Sequence, residues 1–125
     1  MTDCLFCNWK NDKEKIIIEN ELAFATYDEF AVSKGHTLFI TKRHVKDFFE
    51  TTAEERQALF DLIDQVKEIV DEKYHPTGYN IGMNCGKSAG QTVMHLHVHL
   101  IPRYDGDVEN PRGGIRGVIP QKQNY

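Results

Sequence analysis

The sequence reads His-Leu-His-Val-His-Leu-Ile from His95 to Ile101, with histidine at every second position. Successive side chains of a β-strand point to opposite faces of the sheet, so a strand here would place His95, His97 and His99 on one face, roughly 6.5–7 Å apart. The aliphatic residues between them would then point into a core. A helix would scatter the histidines by about 100° per residue. A row of imidazoles suits phosphate chemistry or metal binding; the alternative is three surface histidines on an edge strand.

Length and composition limit the class of protein. A chain of 125 residues is one domain with a single core, small enough that a partner subunit would add stability. The net charge of −4 argues against a general nucleic-acid binder or a ligand of anionic membranes. No apolar run has the length of a membrane span, and Met1 to Lys10 lacks a signal-peptide core, which predicts a cytoplasmic protein. Three cysteines, an odd number, fit a reducing compartment.

A long helix is predicted in the middle of the chain. Thr52 and Glu55 have the spacing of a capping box, and Pro76 and Gly78 predict an end near Tyr74. Apolar residues recur at helical spacing between these limits, which indicates a core-facing stripe. The residues of the stripe are Leu59, Leu62, Ile63, Val66, Ile69 and Val70.

Short β-rich runs surround this helix. Residues 15–19 and 22–28 predict a hairpin, residues 35–41 a third strand and residues 79–84 a fourth, before the histidine strand. Because the strands do not alternate with helices, we expect an α+β fold: an antiparallel sheet of about five strands with one long helix and a short helix. Residues 1–103 would form the catalytic domain. Residues 104–125 would form an extended C-terminal tail of the same domain, ordered by a partner surface.

Further motifs accompany the histidine row. They are Gln91-Thr92-Val93 directly before it, Asn84 upstream, and Lys34-Gly35-His36 at the third strand. Together they resemble the signature of the histidine triad (HIT) superfamily of nucleotide hydrolases and transferases, in the family's order and from Cys4 to about Tyr104. The resemblance implies a HIT-like fold and, together with the small size of the chain, a homodimer.

The resemblance also implies roles for three histidines. His97 would attack the α-phosphorus of a nucleotide and form a nucleotidyl-histidine intermediate, which is hydrolysed or passed to another acceptor. A neutral imidazole, with a reference pKa of about 6.5, is a good nucleophile at neutral pH. A backbone carbonyl of the triad strand would hold the tautomer, and we expect that of His99. His99 and His36 would lie beside the phosphate as hydrogen-bond donors; for His36 the alternative is a structural histidine.

Four residues are candidates for substrate binding. Asn84, Gln91 and Thr92 are neutral donors suited to phosphoryl oxygens. The resemblance implies that the carboxylate of Asp28 holds the ribose hydroxyls; the alternative is a turn residue or a helix cap.

Cys4 and Cys7 form a Cys-x-x-Cys pair, a spacing that lets two thiolates bind one zinc but that redox and incidental pairs share. The resemblance completes the ligand set with His44 and His95. Four protein ligands would close a tetrahedral site, so the zinc would be structural. The alternative is a reduced pair without metal.

The predicted activity is hydrolysis of dinucleoside polyphosphates such as diadenosine tetraphosphate, because residues 89–93 and 100–103 look closer to that branch of the family. Alternatives with the same intermediate are a nucleoside phosphoramidase and a phosphorylase or nucleotidyltransferase. Two others are a non-catalytic nucleotide-binding module and a small zinc-binding interaction protein. The tail cations Arg112, Arg116 and Lys122 would reach toward a polyphosphate or form a solvated charge run.

Overall fold

A computed structural model of the chain describes residues 4–125; the first three residues of the predicted catalytic domain lie outside the described range. Two α-helices and five strands occur in it. In chain order they are α1 (Leu5–Trp9), β1 (Ile16–Glu19), β2 (Ala23–Tyr27), β3 (Thr37–Thr41), α2 (Ala53–Tyr74), β4 (Gly78–Gly82) and β5 (His97–Arg103).

The strands form one antiparallel sheet in the order β1-β2-β3-β5-β4. The predicted α+β architecture, with five strands and one long helix, is confirmed. β5 lies inside the sheet, where His97 pairs with Ile40 and His99 with Leu38 on β3. The strand that carries the histidines is therefore held by neighbours on both sides.

The predicted start of the histidine strand is wrong by two residues. Regular pairing begins at His97, and His95 lies in a bend before it. The reason is a contact made by the next residue: the Leu96 backbone N–H donates to the Val45 carbonyl at 2.8 Å, in the loop after β3. His95 therefore leaves the sheet ladder while its ring stays completely buried.

Helix α2 begins and ends where the sequence predicts. The Thr52 side chain accepts from the Glu55 backbone N–H, and the Glu55 side chain accepts from the Thr52 backbone N–H. At the other end His75 takes the left-handed conformation, with φ 55°. Of the predicted stripe, Ile69 is exposed and Ile63 half-buried. The fully buried members are Leu59, Leu62, Val66 and Val70.

The two faces of the sheet carry different cores. Helix α2 packs on one face against the inward side chains of β2, β3 and β5, including Phe39, Val98 and Leu100. The other face carries a second cluster, which joins α1 to the sheet and consists of Phe6, Trp9, Phe24, Leu38 and Ile40. Because side chains alternate along β5, His97 and His99 lie on this second face. α1 therefore covers the face that holds the histidines.

The structure adds short helical turns to the predicted C-terminal tail, and the assignment of this tail to the catalytic domain stays a prediction. Residues 104–125 contain two 3-10 helices, Gly114–Val118 and Pro120–Lys122, within the single chain. The guanidinium groups of Arg112 and Arg116 lie 4.9 and 4.8 Å from the centre of the Tyr125 ring, so these cations stack on an aromatic side chain of the tail itself. Neither lines the cleft described below.

Helix α2, the longest, has 22 residues and carries charged side chains along its length. Among residues 4–125, no helix has both the length and the apolar character needed to cross a bilayer. The predicted cytoplasmic location stays a prediction.

Candidate active site and metal centre

A cleft of about 310 Å³ opens between α1, the loop after β2 and the start of β5. One part of its wall is apolar and is formed by Leu5, Phe6, Trp9, Phe30, Leu38 and Val93. The other part is polar and is formed by Asp28, Glu29, Asn84, Thr92, His97 and His99, with Gly90 beside them. The cleft thus offers an apolar surface next to hydrogen-bonding groups, as a site for a base joined to a phosphate requires.

The backbone sets the tautomer of His97. Its Nδ1 lies 2.9 Å from the carbonyl oxygen of His95. Because a carbonyl only accepts, Nδ1 carries a proton, and in the neutral tautomer the lone pair is on Nε2. The prediction that the His99 carbonyl does this is wrong. His99 is paired on both sides within β5, where its backbone serves the sheet, whereas His95 lies outside the ladder.

A series of hydrogen bonds, separate from that of His97, sets the tautomers of His36 and His99. The Val32 backbone N–H donates to His36 Nδ1 at 3.1 Å, so the proton of His36 lies on Nε2. That atom is 2.9 Å from His99 Nδ1 and 3.4 Å from Asp28 Oδ2. His99 Nδ1 therefore accepts, and His99 is left with an Nε2–H group that can donate to a ligand.

Burial keeps His36 and His99, the two hydrogen-bonded histidines, neutral at neutral pH. It lowers the pKa of His99 to about 4, helped by the nearby His97 and His36. Burial also lowers the pKa of His36, although the Asp28 carboxylate opposes that change. A neutral imidazole both donates and accepts, which is what a linear chain of hydrogen bonds requires.

His36 lies behind the cleft rather than beside it. Its side chain is 3% exposed and reaches the cleft only through His99, so a role of His36 at the phosphate stays a prediction. Asp28, His36 and His99 also have the mutual distances of a metal site. However, a metal ligand needs a free lone pair, and His36 Nε2 carries the proton. Moving that proton to Nδ1 would place two N–H groups, those of His36 Nδ1 and Val32, against each other. These three residues form a hydrogen-bonded chain.

The predicted substrate-binding residues fall into two groups. Asp28, Asn84 and Thr92 line the cleft. Asp28 also has the alternative role considered from the sequence, because its Oδ1 accepts from the Phe30 backbone N–H at 2.8 Å and closes a turn.

Gln91, by contrast, points away from the cleft and is 3% exposed. Its Oε1 accepts from the Gly86 backbone N–H at 2.8 Å, and its Nε2 donates to the carbonyls of Lys46 and Val93. The side-chain amide is therefore used inside the protein. Gln91 shapes the loop that carries Thr92, and a contact between Gln91 and phosphate stays a prediction.

The predicted zinc ligands meet at the N-terminal end of α1. Ligand atoms of Cys4, Cys7, His44 and His95 lie within 4.8 Å of one another. The Cys4 and Cys7 Sγ atoms are 3.2 and 3.4 Å from His95 Nδ1, and Cys7 Sγ is 3.2 Å from His44 Nδ1. Neighbouring ligands of a tetrahedral zinc lie about 3.3–3.8 Å apart, as follows from metal–ligand bonds of about 2.0–2.3 Å, so the three separations are within about 0.1 Å of that range or inside it. Two thiols with two imidazoles are also a ligand set of structural zinc sites. The donor set therefore fits zinc.

The tautomer of His95 fits the same metal. Its Nε2 lies 2.7 Å from the Thr41 carbonyl oxygen and must donate, which leaves the Nδ1 lone pair facing the thiols. Burial lowers the pKa of His95 to about 4, so the ring is in the neutral form that binds metals.

Two features of the site were missed from the sequence. One is the cleft wall supplied by Leu5, Phe6 and Trp9, whose signal was the apolar residues set between and after the cysteines. The other is the Val32 backbone N–H, for which the sequence carries no signal, because any residue except proline supplies that group.

Comparison with known proteins identifies relatives of this arrangement. The sequence profile of the HIT domain family matches residues 10–106. A Dictyostelium discoideum bis(5'-adenosyl)-triphosphatase is 36% identical over 110 residues, covering 88% of this chain and 74% of that protein. A Mycobacterium tuberculosis AP-4-A phosphorylase is 30% identical over 115 residues, covering 89% of this chain and 58% of that protein.

Solved structures agree with these matches. A HIT family protein from Bacillus anthracis superimposes with a TM-score of 0.78 at 36% identity, covering 84% of this chain and 76% of that chain. A zinc-bound histidine triad family protein from Mycobacterium smegmatis superimposes with a TM-score of 0.76 at 33% identity, covering 84% and 78%.

Proposed function

Because the chain belongs to the HIT domain family, whose members are nucleotide hydrolases or transferases, we propose that it cleaves a nucleotide phosphoanhydride through a covalent intermediate on His97. The observation that carries the proposal is the hydrogen bond from His97 Nδ1 to the His95 carbonyl. In the neutral ring this places the lone pair on Nε2, and the His97 side chain lines the cleft. A neutral imidazole with its other nitrogen held as a donor is an activated nucleophile.

In the first step the Nε2 lone pair attacks the α-phosphorus, a nitrogen–phosphorus bond forms, and the bond to the leaving phosphate oxygen breaks. The developing imidazolium keeps its proton on Nδ1, where the His95 carbonyl stabilises it. His99 donates through Nε2–H to the phosphoryl group or the leaving oxygen. In the second step water attacks the phosphorus, the nitrogen–phosphorus bond breaks, and a nucleoside monophosphate leaves while the proton of water passes to solvent.

The proposed substrates are dinucleoside polyphosphates such as diadenosine triphosphate and tetraphosphate. Two relatives are named for a triphosphatase and a phosphorylase of such compounds. The apolar wall would take a base, the Asp28 carboxylate the ribose hydroxyls, and Asn84 and Thr92 the phosphoryl oxygens. Asn84 and Thr92 are neutral, and the net charge of the chain is negative, so a phosphate would be held by these local hydrogen bonds and not by the overall charge of the protein.

Cys4, Cys7, His44 and His95 are proposed to hold one zinc ion, consistent with the zinc-bound neighbour. Two thiolates balance the charge of Zn²⁺, and four protein ligands leave no open position for water. Bound zinc would therefore supply structure, joining α1 to His95, and no Lewis acid at the phosphate.

The experiment compares the wild type with His97→Asn and with His75→Asn, a control at the exposed end of α2. Each is incubated with diadenosine triphosphate, diadenosine tetraphosphate and adenosine phosphoramidate, with and without inorganic phosphate. We expect AMP from the wild type and the control, and a loss of turnover of about a thousandfold or more in His97→Asn.

The products separate the alternatives. ADP formed only with added phosphate would make the protein a phosphorylase, and preference for the phosphoramidate would make it a phosphoramidase. Tight AMP binding without turnover of any substrate would refute the enzyme and leave a nucleotide-binding module. Full activity of His97→Asn would refute the role of His97.

The predicted homodimer stays a prediction. In the described sheet β4 is an edge strand, and Ile81 on it is 52% exposed, which is a surface that a partner would cover. Sedimentation that gives a monomer at every concentration would contradict the dimer.

A further inference from the structure

We propose that Phe6 is a positioning residue for His97. The cysteine–histidine group, which consists of Cys4, Cys7, His44 and His95, holds Phe6 in place. The inference rests on the proposed function, in which His97 forms the covalent intermediate. Phe6 lies in α1 between the two cysteines and is 3% exposed. The centres of the Phe6 and His97 rings are 5.0 Å apart, with an angle of 68° between the ring planes. This is the edge-to-face arrangement that aromatic pairs favour.

His97 needs such a contact because its hydrogen bond fixes only one ring atom. The Nδ1 bond to the His95 carbonyl leaves the ring plane free to tilt, and the last torsion of a histidine side chain has a broad energy minimum. Tilting moves Nε2, the atom proposed to attack. Phe6 and His99, whose ring centre lies 5.2 Å from that of His97, both restrict the tilt. A displacement of about 1 Å at a reacting atom can cost up to about a hundredfold in rate, and the smaller tilt expected here costs less.

The position of Phe6 in turn depends on the cysteines. Helix α1 has five residues, far fewer than an isolated helix needs for stability. Cys4 caps it by accepting the Cys7 backbone N–H at its sulfur, and both sulfurs approach His95 Nδ1. The Phe6 ring also lies 5.9 Å from the His95 ring. Metal binding by the cysteines would therefore fix the helix, and with it the ring that orients His97.

The competing explanation is that Phe6 only fills the core. It packs with Trp9, Phe24, Leu38 and Ile40, and any large loss of volume there would destabilise the protein. Phe24 provides the matched control, since it is fully buried in the same cluster but does not line the cleft. Among the ring contacts of the described residues, Phe24 has none with His97.

The test compares Phe6→Leu with Phe24→Leu. Both variants should lower the melting temperature. Relative to Phe24→Leu, Phe6→Leu should lower kcat three- to tenfold, which corresponds to the free energy of about one aromatic pair. Because the Phe6 ring also lines the apolar wall of the cleft, KM should rise as well. A rise in KM with kcat unchanged would mean that Phe6 only contacts the substrate and would overturn the positioning role. Phe24→Leu should keep kcat within about twofold of the wild type. Equal losses of kcat in the two variants would mean that Phe6 acts through core packing alone and would overturn the proposal.

A second measurement needs no turnover. Nitrogen-15 spectra of the histidine rings should show His97 as a single Nδ1–H tautomer in the wild type and in Phe24→Leu. In Phe6→Leu, tilting of the ring should weaken the hydrogen bond from Nδ1 to the His95 carbonyl, so the His97 signals should broaden or move toward a mixture of tautomers. Unchanged His97 signals would refute the positioning role. If the wild type turns over none of the substrates while these signals change as expected, the proposed function fails and the positioning role stands.

Two more variants cover a failure of Phe6→Leu to fold. Phe6→Met fills similar space with a flexible chain, and Cys7→Ser removes one anchor of α1. Both should change the His97 signals as Phe6→Leu does. An unchanged His97 spectrum in Cys7→Ser would show that the cysteine–histidine group does not hold Phe6.

Discussion

Replacement of Glu55 by alanine tests how the start of α2 supports the candidate metal centre. The Glu55 side chain is 3% exposed and accepts three hydrogen bonds. One comes from the Thr52 backbone N–H at 2.9 Å, and two come from Arg43 through Nε at 3.0 Å and Nη2 at 2.8 Å. Arg43 directly precedes the proposed ligand His44, so one carboxylate joins the helix cap to the ligand loop.

The expected loss of stability is about 2–3 kcal/mol. Loss of the cap contributes about 1 kcal/mol, because a backbone N–H at the helix start loses its partner. The forked pair with Arg43 contributes about 1–2 kcal/mol, less than a buried ionic hydrogen bond, because the Arg43 side chain is 55% exposed and water replaces part of the interaction. For a chain of this size the sum corresponds to a fall in Tm of about 6–12 °C.

The control is Glu54→Ala, which removes an exposed carboxylate from the same helical turn. It loses only the interaction with the helix dipole, about 0.3–1 kcal/mol. Thermal unfolding of both variants at neutral pH measures the difference, and a double-mutant cycle with Arg43→Ala isolates the pair. A Tm of Glu55→Ala no lower than that of Glu54→Ala, or a coupling energy of zero, would refute the reasoning.

The pH dependence provides a further check. The Arg43 hydrogen bonds lower the pKa of Glu55, and such a carboxylate stabilises the folded state above its unfolded pKa of about 4.3. That stabilisation is lost as the pH falls through the lower, folded value. The difference in stability between the wild type and Glu55→Ala should therefore shrink in acid.

Three further predictions follow from the site. The purified wild type should contain zinc, and Cys7→Ser should contain none and be about 3–4 kcal/mol less stable, as expected on the loss of a tightly bound metal. Full retention of zinc by Cys7→Ser would contradict the ligand set. Burial lowers the pKa of His99 to about 4, so between about pH 6.5 and pH 4 the unfolded chain binds protons more strongly than the folded protein. The free energy of unfolding should therefore fall in acid by about 1–2 kcal/mol more in the wild type than in His99→Gln. An equal fall in the two proteins would exclude this. Gln91→Ala should lower the free energy of unfolding by about 2–3 kcal/mol, because it leaves buried backbone groups without a hydrogen-bond partner. Gln57→Ala, on the exposed side of α2, should leave stability nearly unchanged. Equal unfolding midpoints for the two variants would favour Gln91 as a ligand of the substrate.

The regular elements were predictable because their signals are local. The capping box at Thr52 and Glu55 and the stripe that follows it are decided by residues three or four positions apart, and α2 has the predicted bounds. Alternation along β5 likewise places Val98 and Leu100 in the core. The strand start could not be predicted, because it depends on a hydrogen bond from Leu96 to a residue about fifty positions earlier in the chain.

The sequence by itself determined which chemical groups the site contains: a row of imidazoles on an alternating strand, a Cys-x-x-Cys pair, and the neutral donors Asn84, Gln91 and Thr92. Tertiary structure decided what each group does. The His95 carbonyl orients His97, His36 lies behind His99, and the amide of Gln91 is used within the protein. The physical reason is that a tautomer is set by the partner of one ring nitrogen. Those partners are backbone groups whose positions depend on how distant segments pack.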